Sequence, residues 1–288
     1  MIVARTPDEL EPARRAVAIG TFDGVHRGHR RVLEAARAAR LRTTVVTFDP
    51  HPRSVLGGEV VLLTTLERRL ELLADAGMDE ALVLHVDEAL LALTAEAFAE
   101  DVLRAIGVEV VAAGEGFRFG RGRSGDLDLL AELGFDVRHV PLAENCSSSR
   151  ARAFLAAGDI AAAAAILGRP PEVEGTVVAG DARGRELGFP TANLAVPKGL
   201  LVPELGIYAG SALGHRAAVS VGTNPHYGGT ERRVEAFLLD FDGDLYGRRL
   251  VVELWERLRD EAAFGSEAEL VEAIDRDVAR ARTAVRPG

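Results

Sequence analysis

The sequence predicts an α/β protein in two parts: a mostly parallel sheet covered by helices, then a small antiparallel β-barrel closed by a C-terminal helix. Three observations predict it. Strand-like and helix-like segments alternate through the first half. Gly168-Arg169-Pro170-Pro171 breaks the pattern. Beyond it, short β-type runs are punctuated by Gly, Asn, Asp and Pro. With 288 residues and about 150 residues per domain, two domains are expected, divided as 1–168 and 169–288.

Val17–Ile19 reads as the first strand, and Gly28–Leu41 carries apolar Val32, Leu33, Ala36 and Ala39 at helical spacing. Strands at Thr44–Phe48, Ala81–Leu84, Glu109–Ala112 and Val137–Val140 alternate with helices at Leu66–Ala76, Ala95–Ile106 and Leu127–Leu133. Such repetition implies parallel strands with helices on both faces, and ligands at the carboxyl ends of those strands. Helices at Ser149–Ala157 and Asp159–Leu167, joined by the cap pair Gly158-Asp159, close this half. In the second half, β-runs are expected at Glu174–Val178, Tyr208–Leu213, Ala217–Val221, Val234–Phe241 and Leu250–Leu254. Asp242-Gly243 signals a type I′ hairpin. A final helix, about 267–284, places Leu270, Val271, Ile274, Val278 and Ala281 on one face.

Composition narrows the function. A net charge of −10 argues against coating a nucleic-acid duplex, although a local phosphate site remains open. Positive charge is nearly all arginine, with Lys198 the only lysine. No apolar run suits a membrane span, and Asp8, Glu9 and Glu11 near the start do not resemble a signal peptide; a cytoplasmic location is expected. Cys146, the single cysteine, cannot form an intramolecular disulfide and reads as a half-buried filler.

Two stretches carry candidate chemistry. Gly20-Thr21-Phe22-Asp23-Gly24-Val25-His26-Arg27-Gly28-His29 follows a strand and opens a helix. Glycines let a ligand approach the backbone, unpaired N–H groups at the helix start favour phosphate, and His26 and His29 can stabilise charge as a phosphorus–oxygen bond breaks. The alternatives are a metal pair or a structural turn. Gly120 to Gly125 formally matches GxGxxG, but no strand leads directly into it, so a mobile arginine-bearing loop is expected. Ser147-Ser148-Ser149 with Arg150 and Arg152 is either an anion site or an ordinary helix cap with solvated arginines. In the second half, Gly180, Gly184 and Gly188 with Arg183 and Arg185 can wrap phosphates; Thr191 and Asn193 suit Mg²⁺ and phosphate oxygens. There is no P-loop and no protein-kinase signature. Glu235, in an apolar β-run, is a surface residue or a general base.

The chain from about Arg14 to Ala281 resembles the bacterial bifunctional riboflavin kinase/FAD synthetases. The carriers are GTFDGVHRGH at 20–29, FDPHP at 48–52, GEGFRFG at 114–120, SSSRAR at 147–152, GFPTAN at 188–193, SVGTNP at 220–225 and VEAFLLDFDGDLYG at 234–247. The resemblance implies a Rossmann-like nucleotidyltransferase domain followed by a riboflavin kinase barrel. It also implies ATP as co-substrate, Mg²⁺, and riboflavin, FMN and FAD as substrates and products. By the same resemblance, Gly20, Phe22, Asp23, Gly24, Ser147, Ser148, Ser149 and Arg152 hold ATP in the first part, beside catalytic His26 and His29. His51, Pro52, Phe117 and Phe119 hold flavin. Gly180, Arg185, Gly188, Pro190 and Thr191 hold ATP in the second part, Thr191 and Asn193 hold the metal, and Glu235 takes the proton from the ribityl 5′-hydroxyl. Gly116 stands where the family usually has Asp or Asn, His226 where it has Thr, and Ala151 where it has Ile. Gly116 motivates one alternative: a riboflavin kinase with a degenerate N-terminal module.

Overall fold

The structure is a computed structural model and describes residues 1–141, 146–180, 188–223 and 232–288. Two compact units divide it: Met1–Val61 with Thr65–Cys146, and Leu62–Thr64 with Ser147–Gly288.

The first unit holds a six-stranded parallel sheet: β1 (Ile2–Ala4), β2 (Arg15–Ile19), β3 (Arg42–Asp49), β4 (Glu80–His85), β5 (Val108–Gly114) and β6 (Asp136–Val140). Its spatial order is β1-β4-β3-β2-β5-β6. Central β2 is buried throughout, as a strand covered on both faces must be. Its side chains alternate between two cores. Val17 and Ile19 join Val46, Leu82, Phe98, Leu103 and Val111; Ala16 and Ala18 join Val32, Leu33, Val45, Leu72 and Leu73 on the other face.

The helices are α1 (Arg27–Arg37), α2 (Pro52–Val55), α3 (Leu66–Asp75), α4 (Glu88–Ala92), α5 (Ala95–Phe98) and α6 (Leu127–Glu132). Helix α1 buries Val32, Leu33 and Ala36 but stops short of Leu41. Ala38 caps it, and Arg40 turns into the left-handed region at φ +55°. The helix expected over Ala95–Ile106 widens after α5 into a π-turn at Ala99–Arg104, with Ala105 N donating to Glu100 O. Beneath the sheet, buried Arg15 donates to both oxygens of buried Glu80 and to Ile106 O; Thr44 Oγ1 donates to Glu80 as well.

In the second unit, α7 (Ser148–Ala156) and α8 (Ile160–Leu167) precede β7 (Glu172–Val178), β8 (Ala192–Ala195), β9 (Gly206–Ala212), β10 (His215–Thr223), β11 (Arg232–Leu238), β12 (Arg249–Arg259) and α9 (Glu267–Thr283). The caps fall where the sequence puts them: Gly158 at φ +74°, Asp159 Oδ1 accepting from Ala162 N, and Gly168 at φ +70°. By packing, α7 and α8 group with the barrel, and the first unit ends at Cys146 rather than at Gly168.

The strands close into a barrel in the order β10-β11-β8-β7-β12-β9. This corrects three expectations. β8 is a sixth strand, hidden inside the Pro190–Asn193 motif and lying between β11 and β7. The Asp242-Gly243 hairpin does not form. β11 pairs with β10 and β8, whereas β12 pairs with β7 and β9. Neither Asp242 nor Gly243 has the positive φ a type I′ turn requires; Asp240 and Gly247 take it instead. In α9 the buried residues are Ala273, Asp277 and Ala281, of which only Ala281 is among those expected; Leu270, Val271, Ile274 and Val278 are half-buried beside them. Arg259 holds the Asp277 carboxylate through Nε and Nη2, with bonds of 2.8–3.1 Å. Ala281 packs with Ala209, Leu258 and Ala284. No helix among the described residues is long and apolar enough to cross a membrane.

Candidate active sites

In the first unit, β2 lies where the sheet order reverses, with β3 on one side and β5 on the other. Such a point leaves a crevice at the carboxyl ends of the strands, and Gly20–His29 leaves β2 there. Phe22 (φ +51°), Gly24 (φ +78°) and Val25 (φ +38°) form a tight turn, closed by Val25 N donating to Phe22 O at 3.0 Å. Positive φ at a phenylalanine and a β-branched valine is costly and concentrates at functional sites. Phe22 is buried, and a Cβ on Gly20 would come within 3.3 Å of its ring. Asp23 and His26 are buried too.

The two histidines stack, with ring centroids 3.5 Å apart and planes 17° from parallel. His26 caps α1, its Nδ1 accepting from His29 N at 3.2 Å. An accepting Nδ1 carries no proton, so neutral His26 bears its hydrogen on Nε2. Burial, then the charges of His26 and Arg69, push His29 well below the usual imidazole value, and His29 is neutral at pH 7. The free amides expected at the helix tip are partly taken within the protein. His29 N binds His26, and Gly28 N donates to Cys146 Sγ at 3.3 Å. Cys146 is thus more than filler: its Sγ also lies 3.7 Å from His26 Nδ1.

His51 caps α2 by accepting from Arg53 N at 3.1 Å, and Pro52 opens that helix; both are half-buried. Phe117 and Phe119 stack at 5.6 Å. Phe119 is buried against Phe98, in the core, so Phe117 is the ring left with surface to offer a ligand. Gly116 is exposed, with open space around its Cβ position. Gly120–Gly125 forms a short 3₁₀ turn at Arg121–Arg123, with Phe119 bridged to Gly125, and no dinucleotide fingerprint.

The Ser147–Arg152 element belongs to the second unit. Ser147 Oγ accepts from Arg150 N at 3.3 Å, an ordinary helix cap. Ser148 is half-buried and Ser149 exposed at the start of α7, with half-buried Arg152 one turn on.

On the barrel, strand pairing assembles the second site. Asn193 on β8 lies opposite Glu235 on β11, and Thr191 shares the Asn193 face two residues earlier. Thr191 Oγ1 donates to Glu235 Oε2 at 3.1 Å. Arg233, two residues before Glu235, donates through Nε to Asn193 Oδ1 at 3.0 Å and forms an ion pair with Glu235 Oε1 at 3.0 Å. A Cβ on Gly180 would sit 2.2 Å from the Asn193 amide, so only glycine fits beside it. Gly188 has φ +88° and Pro190 is exposed. Arg183, Gly184, Arg185, Asn224, Pro225 and His226 lie outside the described residues. Among the described residues no cluster of three or more His, Cys, Asp or Glu can hold a metal. The Thr191, Asn193 and Glu235 oxygens do form a hard donor set of the kind Mg²⁺ takes together with nucleotide oxygens.

Sequence reasoning missed Arg69, Arg233 and the position of Cys146. Arg69 and Cys146 reach the histidines from other elements. Arg233 was within reach, since it shares a strand face with Glu235.

Two family models match the chain, one in each part. The FAD synthetase family model matches residues 8–150, and the riboflavin kinase model matches residues 167–285. The chain is 38% identical over 286 residues to the bifunctional riboflavin kinase/FMN adenylyltransferase of Escherichia coli K12, covering 92% of this chain and 91% of that protein. It is 33% identical to the Listeria monocytogenes protein of the same name, covering 94% and 93%. A crystal structure from Streptococcus pneumoniae, named a macrolide-efflux protein, superposes with a TM-score of 0.88 at 30% identity, covering 99% of both chains. The chain belongs to the bifunctional riboflavin kinase/FMN adenylyltransferase family.

Proposed function

We propose that this chain phosphorylates riboflavin to FMN on its barrel, and adenylylates FMN to FAD with release of pyrophosphate at the histidine pair, using ATP for both steps. One observation supports the reading: each unit brings together side chains suited to phosphate, the stacked His26–His29 pair in one and the Thr191–Asn193–Glu235 face in the other. The FAD synthetase match spans the histidine pair and Gly116, which favours an active module over a degenerate one. The functional division runs at about Gly168, and the work belongs in the cytoplasm, where ATP is at hand.

In the kinase step, Glu235 accepts the proton of the ribityl 5′-hydroxyl as that oxygen attacks the γ-phosphate. Thr191 and Asn193 would hold Mg²⁺, which when bound neutralises charge on the phosphates. Gly180 and Gly188 leave room for the nucleotide, with Pro190 shaping the approach to Thr191 and Arg185 completing the phosphate contacts.

In the adenylyl step, an FMN phosphate oxygen attacks the α-phosphate of ATP, a new phosphorus–oxygen bond forms, and pyrophosphate leaves. His26 and His29 donate to the oxygens that gain charge. Gly20, Phe22, Asp23 and Gly24 shape the nucleotide pocket, and His51, Pro52 and Phe117 face flavin with Phe119 behind. Pure protein given riboflavin, ATP and Mg²⁺ should yield FMN and then FAD, with ADP and pyrophosphate. FMN as the only product rejects the second activity.

A further inference from the structure

Arg69, on α3, is a buried cation that the reaction as drawn above does not use. It is 1% exposed, yet only one of its nitrogens has a partner: Nη1 donates to Phe48 O at 3.1 Å, at the end of β3. Nε and Nη2 are buried without hydrogen bonds. A guanidinium buried this way is costly and is retained where its charge is used. Opposite charge comes from Asp23, in the turn before α1, and Asp49, ending β3. The histidine that feels Arg69 is His29, whose own Nδ1 is also buried without a partner, while the ring as a whole is half-exposed. The inward edge of that ring is Nδ1, so Nε2 is the edge turned outward.

We propose that Arg69 is a positioning residue for adenylyl transfer: its buried charge keeps protons off the inward Nδ1 of His29, so that the neutral ring carries its hydrogen on the outward Nε2. The argument is electrostatic. A proton on Nδ1 would put a positive edge on the buried side of the ring, against the charge of Arg69 that already acts on His29, with the stacked His26 ring 3.5 Å away. His26 reaches the same state differently, by accepting the His29 amide on Nδ1. Both rings then carry their hydrogen on Nε2, and neither needs to be charged. A pair of aligned neutral donors meets an anionic phosphate without the repulsion of two stacked imidazolium ions. Arg69 from α3 acts on His29 and is itself opposed by Asp23 from the turn and Asp49 from β3, and Cys146 after β6 lies 3.7 Å from His26 Nδ1.

The inference rests on adenylyl transfer occurring at the histidine pair, and the test separates the two ideas. Ring ¹⁵N spectra of the full-length protein, without substrate, should show His29 as the Nε2–H tautomer from pH 6 to 8. In Arg69→Met, His29 should become a mixture of the two neutral tautomers. With FMN and ATP supplied, the same variant should lose about tenfold to a hundredfold in kcat, with little change in KM for ATP. The acid limb of its pH–rate profile should move to higher pH. Riboflavin phosphorylation by the same molecule should stay within twofold, showing that the chain is folded. Arg69→Lys should keep the Nε2–H tautomer and most of the rate, and it decides the matter if the methionine variant does not fold. Wild-type His29 found as Nδ1–H, or an Arg69→Met spectrum and pH profile like wild type, overturns the proposal. Full FAD formation by His29→Ala instead overturns the assignment of the adenylyl site, whatever the spectra show.

Discussion

The two units assemble their candidate sites by opposite means. The α/β unit builds its site on a turn leaving one strand, so the residues that matter are contiguous from Gly20 to His29. The barrel builds its site on a strand face, so Asn193 and Glu235 meet only because β8 pairs with β11 in one register. The first site is backed by buried charge at Asp23 and Arg69. The second is a partly exposed chain of hydrogen bonds from Thr191 through Glu235 and Arg233 to Asn193. A turn site is local and strained, whereas a register site is unstrained and depends on distant pairing. The comparison is sharpest if each site can be destroyed without touching the other.

The largest expected effect is on the barrel. Glu235→Gln keeps shape and loses the base, so riboflavin phosphorylation should fall by about 10²–10⁴-fold. FAD formation from supplied FMN should be unchanged. Equal losses in the two assays would mean the sites are not separate. The mirror experiment is His29→Ala. Losing one preorganised donor should lower FAD formation by about 10²–10³-fold and leave the kinase step within twofold.

A third contrast concerns stability. The Glu80 carboxyl lies below the ordinary glutamate range: burial pushes it up, but hydrogen bonds from Arg15 and Thr44 and the charges of Arg15 and Arg42 outweigh this. A depressed folded-state value contributes stability above the unfolded value, near 4.5, and that stability drains as pH falls further. Glu80→Gln leaves buried Arg15 without its counter-charge, at a cost of about 3–5 kcal/mol. In thermal inactivation at pH 7, FAD formation should then fail at a lower temperature than riboflavin phosphorylation. Simultaneous failure would show that the two units unfold together.

How much of this was legible beforehand follows the same contrast. The parallel sheet was readable because β2, β3, β4 and β5 are apolar strands between amphipathic helices, and the turn site because its residues are adjacent. Barrel topology was not. Asp242-Gly243 has hairpin chemistry, but the chain there crosses between strands that are not neighbours, and local preference yielded to barrel closure. β8 is only four residues, Ala192–Ala195, beginning inside a binding motif. The buried face of α9 includes Asp277, which no hydrophobic pattern selects, because its partner Arg259 is far away in sequence. Arg69 looked like one more arginine on an amphipathic helix; only the fold shows that it is buried.

Register dependence makes the barrel site sensitive to one methyl group. Gly180→Ala would put a Cβ 2.2 Å from the Asn193 amide, displacing the residue that pairs with Glu235. A positional error of this kind should lower the kinase kcat by about tenfold to a hundredfold, with FAD formation intact. A wild-type rate would show that Asn193 need not be held where the structure holds it.

The smallest expected effect runs the other way, toward gain. Gly116 follows β5, is exposed, has no positive φ to protect and has open space where a side chain would begin. Asparagine there should therefore be accommodated without strain. If the flavin binds beside Phe117, one added polar group supplies about one hydrogen bond, about 0.5–1.5 kcal/mol. Gly116→Asn should thus lower KM for FMN in adenylylation by about twofold to tenfold, with kcat and the kinase step unmoved. An unchanged KM would place the flavin away from the 114–120 loop. That would sharpen the contrast between the units, because in the α/β unit only the turn at the histidines, and not the neighbouring loop, would then recognise substrate.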